Sequence, residues 1–119
     1  MSNSHSDLIT IYYNSDSTRA KQTLAYANTE NMQIHEIDIL KTPLPGTKIV
    51  ELAKNMGIEV SELVNQEHPS YAEKFEEHNF STDDWIKMIH HNPEIMRQPI
   101  AIRGNKTMMI SSPRDIEKL

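Results

Sequence analysis

The chain contains no cysteine. That absence removes disulfide frameworks, thiolate metal sites and every redox mechanism that needs a protein thiol. Long apolar runs are missing as well, since none approaches the roughly 18 residues of a membrane-spanning helix. The start, MSNSHSD, has neither the basic flank nor the apolar stretch of a secretory signal. No membrane association is expected, and the expected location is cytoplasmic. Positive charge is in deficit: 12 Lys and Arg stand against 17 Asp and Glu, a formal net charge of −5. A surface of that sign argues against direct binding to nucleic acid or anionic lipid and favours neutral or basic partners. Metal-ligand spacing is also lacking. The six histidines form no HxxxH or HExxH pattern, and adjacent residues such as His90 and His91 project about 100° apart on a helix. The acidic stretch EKFEEHNFSTDD lacks the oxygen spacing of a calcium loop. No metal or other cofactor is expected.

What is present suits one globular domain. A chain of 119 residues, 37% of them apolar, can bury a single core without covalent staples. Residues 1–7 are polar and are expected to form a disordered tail, with the domain running over 8–119. Leu8 to Tyr13 (LITIYY) is rich in β-branched and aromatic residues and reads as a buried strand. From Ser17 the spacing turns helical, with Ala20, Leu24 and Ala27 on one face. Asp16 or Ser17 would cap that helix by accepting a backbone N–H two or three residues on. Gln33 to Leu40 reads as a second strand, ended by KTPLPG.

The middle is helical in pattern. Thr47 to Met56 carries an apolar stripe and stops at Gly57, which suits a left-handed C-terminal position. A short segment follows over Glu59 to Val64. Pro69 opens a helix through about Glu77, and the SxxD of Ser81 to Asp84 opens another that ends at Asn92-Pro93. Pro99 to Arg103 and Lys106 to Ile110 form a hairpin about Gly104-Asn105, and a last helix starts near Pro113. The order is βαβ, a helical stretch over about 45–92, then ββα. It predicts an α/β fold: a four-stranded mixed sheet with helices on its faces and an inserted helical subdomain.

Three stretches, ITIYYNSDSTRAKQTLAY, EIDILKTPLPGTKIVELAKNMG and NPEIMRQPIAIRGNKTMMISSPRDIEKL, together resemble the arsenate reductase (ArsC) and Spx family of thioredoxin-like proteins. The resemblance implies a thioredoxin-like sheet and a cis proline at Pro99. Family reductases carry a nucleophilic cysteine in a turn like NPxCSxSR, and the matching position here is Ser17. The arginines that grip the arsenate oxyanion fall at Asn65, Gln98 and Ser112, all uncharged, with Arg97 and Arg114 beside the last two positions. In a strand a shift of one residue turns a side chain to the other face, so neither neighbour is an automatic replacement.

The candidate site is therefore Ser17 at the family's catalytic position, with Asn14, Thr18, Arg97, Gln98 and Pro99 as binding residues. A serine nucleophile needs an oriented base. No such base lies near Ser17 in the sequence, and His35 and Asp38 read as ordinary strand residues. A carboxylate at Asp16, about 5 to 7 Å from an anion held over Ser17, would repel it by about 2 to 3 kcal/mol at an effective dielectric of 20. The expected function is that of a redox-inactive member acting by binding a protein or small molecule. Two alternatives accompany it: an arsenate reductase-type oxidoreductase coupled to glutathione and glutaredoxin, and a Spx-like regulator docking on a larger protein such as RNA polymerase. The Spx redox switch is a CxxC pair, and the matching positions, Asp16 or Ser17 to Arg19 or Ala20, hold no thiol.

Overall fold

The computed structural model describes residues 7–75 and 79–119. Residues 1–6 of the expected tail, and the end of the helix expected through Glu77, lie outside the described residues. The chain divides into two compact units, one of Met1–Ile39 and Gln98–Leu119, the other of Leu40–Arg97.

The first unit is built on a four-stranded sheet of order β2-β1-β3-β4. Strand β1 (Leu8–Tyr13) is central: it pairs parallel with β2 (Gln33–Asp38) and antiparallel with β3 (Ile100–Arg103). The hairpin expected about Gly104-Asn105 joins β3 to β4 (Lys106–Met109), with Gly104 at φ 60°. That dihedral lies in the left-handed region, where a residue without Cβ is least strained. Ile9 and Ile11 of β1 and Ala101 of β3 form one buried cluster with Ala27, Ile110 and Ile116. Tyr12, pointing the other way, is also buried. A β1 covered on both faces accounts for the unbroken apolar run LITIYY.

Helix α1 (Thr18–Thr29) crosses from β1 to β2 and buries Ala20, Thr23 and Ala27. Thr23 was not part of the expected apolar face. Its hydroxyl donates to the Arg19 carbonyl at 2.9 Å, which lets a polar side chain sit in the core without an unmet bond. Strand β2 stops at Asp38, two residues before the expected end, although the Ile39 N–H still donates to the Tyr13 carbonyl at 2.8 Å. The closing segment Pro113–Lys118 is a 3₁₀ turn rather than an α-helix; Ser112 and Asp115 cap it reciprocally.

The described residues of the second unit hold three α-helices: α2 (Gly46–Met56), α3 (Pro69–Phe75) and α4 (Thr82–His91). The stripe on α2 is buried through Ile49, Leu52 and Ala53, and Gly57 ends the helix at φ 69°. Gly46 opens it because a Cβ there would lie 3.0 Å from Ile86 Cγ2. Between helices, Val60–Leu63 forms a 3₁₀ turn capped by Glu59 and Glu62. Val64 and Met96 form an antiparallel bridge flanked by Asn65 N–H to Ile95 O and Arg97 N–H to Leu63 O, each 2.7 Å. Trp85 stacks on Tyr71 at 6.2 Å between ring centroids and meets Phe80 edge-on at 5.1 Å.

Candidate functional site

The loop between β1 and α1, Asn14 to Ser17, has its backbone donors occupied by oxygens of its own unit. Asn14 N–H donates to Gln98 Oε1 at 3.0 Å, and Ser15 N–H to Asp38 Oδ1 at 3.3 Å. Asp16 N–H donates to Asn14 Oδ1 at 2.7 Å, and Ser17 N–H to the Asn14 carbonyl at 2.9 Å. Ser17 then caps α1: in extended conformation (φ −89°, ψ 124°), it accepts the Ala20 N–H on Oγ at 3.2 Å. Of the two candidate caps, Ser17 performs the task. Thr18, exposed, is the first helical residue.

Asn14, Ser17, Thr18 and Gln98 are thus brought together by direct bonds and chain adjacency. The Gln98-Pro99 bond is cis. Pro99 is buried, and its carbonyl accepts the Ile110 N–H at 2.9 Å. Arg97 belongs to the second unit, where it borders an open groove of about 840 Å³ together with Glu62 and Glu67. Asp38 is a residue whose part in the loop was not anticipated. It is nine-tenths buried and holds Ser15. A carboxylate between two isoleucines at the end of a strand was the available signal. His35 is exposed on β2.

At two of the three positions where the resemblance places anion-binding arginines the side chain is an acceptor. Gln98 Oε1 accepts from Asn14 N–H, and Asn65 Oδ1 from Glu67 N–H at 3.1 Å. Each satisfies a main-chain donor, a task that a guanidinium, all donors, is unable to perform. At Ser112 the backbone is engaged: its N–H donates to Asp115 Oδ2 at 3.0 Å and its carbonyl accepts the Asp115 N–H at 2.9 Å. Local charge agrees in sign. The Tyr13 phenol is pushed above its ordinary value by burial first, then by the Asp38 and Glu36 carboxylates. Negative charge at this end of the sheet disfavours a second anion.

The histidine rings have other partners. A carbonyl only accepts, so His90 donates from Nδ1 to the Leu44 carbonyl at 2.6 Å, and His91 from Nδ1 to the Lys87 carbonyl at 2.9 Å. Among the described residues no group of three or more His, Asp or Glu is assembled for a metal ion. Nor, among them, is any helix long and apolar enough to cross a membrane.

Residues 12–119 match the ArsC family. The chain belongs to that family. Its fold is the family's thioredoxin-like fold, as solved structures indicate. An arsenate reductase from Vibrio cholerae superposes with a TM-score of 0.84 at 18% identity, covering 93% of this chain and 96% of its own. A Yersinia pestis protein named for the same activity gives 0.84 at 20% identity, with 93% and 99% covered. An ArsC-related protein from Brucella melitensis gives 0.72 at 17%, with 92% of each chain covered. No curated protein matches the chain. The chain carries no cysteine, and at the positions where the resemblance places arginines it has the neutral Asn65, Gln98 and Ser112.

Proposed function

We propose that this ArsC-family chain acts by binding a protein or small molecule and carries out no thiol redox chemistry. The observation that carries the reading is Ser17: where the resemblance puts the family's cysteine, this chain has a hydroxyl, and its oxygen caps α1 through the Ala20 N–H. A thiolate forms readily at a helix N-terminus because its pKa of about 8.5 falls there. A serine hydroxyl offers no comparable anion and would need a base positioned against it. The net charge of −5 favours neutral or basic partners.

The test is arsenate reduction coupled to glutathione and glutaredoxin. The expected result is no turnover above a blank lacking the protein; turnover that disappears in Ser17→Ala would overturn the reading. Ser17→Cys alone is expected to restore little, since Asn65, Gln98 and Ser112 supply no positive charge. Substantial rescue by that one change would show the missing arginines to matter less than the missing thiol.

A further inference from the structure

We infer that Gln98, with Asp38, is an internal lock on the Asn14–Ser17 loop: their side-chain oxygens occupy the Asn14 and Ser15 amide hydrogens and so withhold them from an external oxyanion. The inference rests on the redox-free reading and extends it by naming a ligand class the loop refuses, inorganic oxyanions. The geometry is specific. An amide N–H can meet only the oxygen of the Gln98 carboxamide, so the 3.0 Å contact fixes that group with Oε1 towards Asn14. The neighbouring donor, Ser15 N–H, meets Asp38 Oδ1, a ligand 23 residues away in sequence, whereas Gln98 is 84 away. Asp16 and Ser17 donate to Asn14 itself. Four consecutive donors, residues 14 to 17, are therefore met before any ligand arrives. An oxyanion drawn to the loop amides would have to displace a carboxamide already in place, and would do so beside the Asp38 carboxylate. In this reading Gln98 is a positioning residue: it acts on a ligand only through the loop it holds.

Amide–water exchange measured by NMR on the full chain separates this role from general packing. In Gln98→Ala the Asn14 amide should exchange about tenfold faster or more, the factor that losing one satisfied hydrogen bond implies, while amides in β3 and β4 keep their rates. Gln98→Glu retains an acceptor oxygen and should keep the Asn14 amide protected. Equal exchange in all three proteins, or Gln98→Glu behaving like Gln98→Ala, would overturn the lock. Sodium arsenate supplies the second arm. No saturable shift is expected at amides 14–17 of the unmodified chain, and a saturable one is expected in Gln98→Arg, which removes the acceptor and adds a cation. Saturation in the unmodified chain, or none in Gln98→Arg, would overturn the claim that internal oxygens exclude the anion. Exchange uses no redox reagent, so its failure removes the lock and leaves the redox-free reading standing. Turnover in the coupled assay would remove that reading whatever the exchange rates show.

Discussion

Among the described residues two α-helices begin at a serine, and they are closed by different means. At the start of α4 everything is local. Ser81 Oγ accepts the Asp84 N–H at 3.2 Å, and Asp84 Oδ2 accepts the Ser81 N–H at 3.0 Å. At the start of α1 only half of that box exists, because the third helical residue is Ala20, whose side chain has nothing to return. The Ser17 N–H goes back to Asn14 instead, and the preceding amides are met by Asp38 and Gln98. Each cap is a property of four consecutive residues. The loop before α1 differs: its Asn14 and Ser15 amides need the residue before Pro99 and the end of β2, so that loop reports on the assembled sheet. The Asn14–Ser17 loop is thereby a tertiary joint.

The largest effect should come from removing the distant half of that joint. Asp38→Ala leaves the Ser15 N–H without its acceptor in a buried setting, at a cost of about 1 to 3 kcal/mol. Asp38→Asn keeps an acceptor oxygen of the same shape and should cost clearly less. Urea denaturation of both variants measures the difference; an Asp38→Ala as stable as Asp38→Asn would mean that Ser15 is satisfied by water and that the joint is ornamental.

Next come the two serines themselves. Losing a Ser N-cap costs about 1 kcal/mol, so Ser17→Ala and Ser81→Ala should each lower the melting temperature by roughly 3 to 6 °C. The sharper prediction concerns what else changes. Ser17→Ala should leave the Asn14 and Ser15 amides as protected as before, because their acceptors lie elsewhere. Faster exchange at Asn14 in Ser17→Ala would show that the cap and the long-range bonds form one unit.

This contrast also separates what could be read from the sequence from what could not. SxxD at 81 to 84, Gly57 after an apolar stripe and Asn92-Pro93 are signals within four or five residues of the structure they dictate, and each marks the boundary it should. The strands were legible in unequal degree: β1 (LITIYY) and β3 (IAIR) are mostly apolar and largely buried, whereas β2 (QIHEID) is mostly exposed and ends two residues before the expected end. The same SxxD signal stood at Ser112 to Asp115, where it caps the 3₁₀ turn, and it was open to the same reading. Gln98 is different in kind. Its neutrality was legible through the family resemblance, but not its partner, since no local rule connects a carboxamide to an amide 84 positions earlier. Asp38 reads as a strand residue for the same reason: its register opposite Tyr13 is visible only once β1 and β2 are paired.

The smallest effect is electrostatic and lies in acid. Asp84 is held below the ordinary carboxyl value of 3.8, first by the backbone N–H of Ser81, then by its hydroxyl, with Lys87 adding a little. Asp115 is lowered likewise, first by the Ser112 N–H, then by the Lys118 side chain and the Ser111 N–H. In each case the folded chain holds its proton less tightly than the unfolded one. Between the depressed folded value and 3.8 the unfolded state binds more protons, so stability rises with pH across that window. The contribution is complete above the unfolded value and is lost as pH falls through the folded one. Asp84 is exposed and Asp115 only partly buried, so salt should weaken the charge–charge part. Melting temperatures taken from pH 5 down to about 3 should therefore fall less steeply in Asp84→Ala, which reports on the second unit, and in Asp115→Ala, which reports on the first. An acid limb of unchanged slope in either variant would mean that its box acts through hydrogen bonds that a protonated carboxyl supports equally well, and that the fixed charge at that helix or turn start adds nothing.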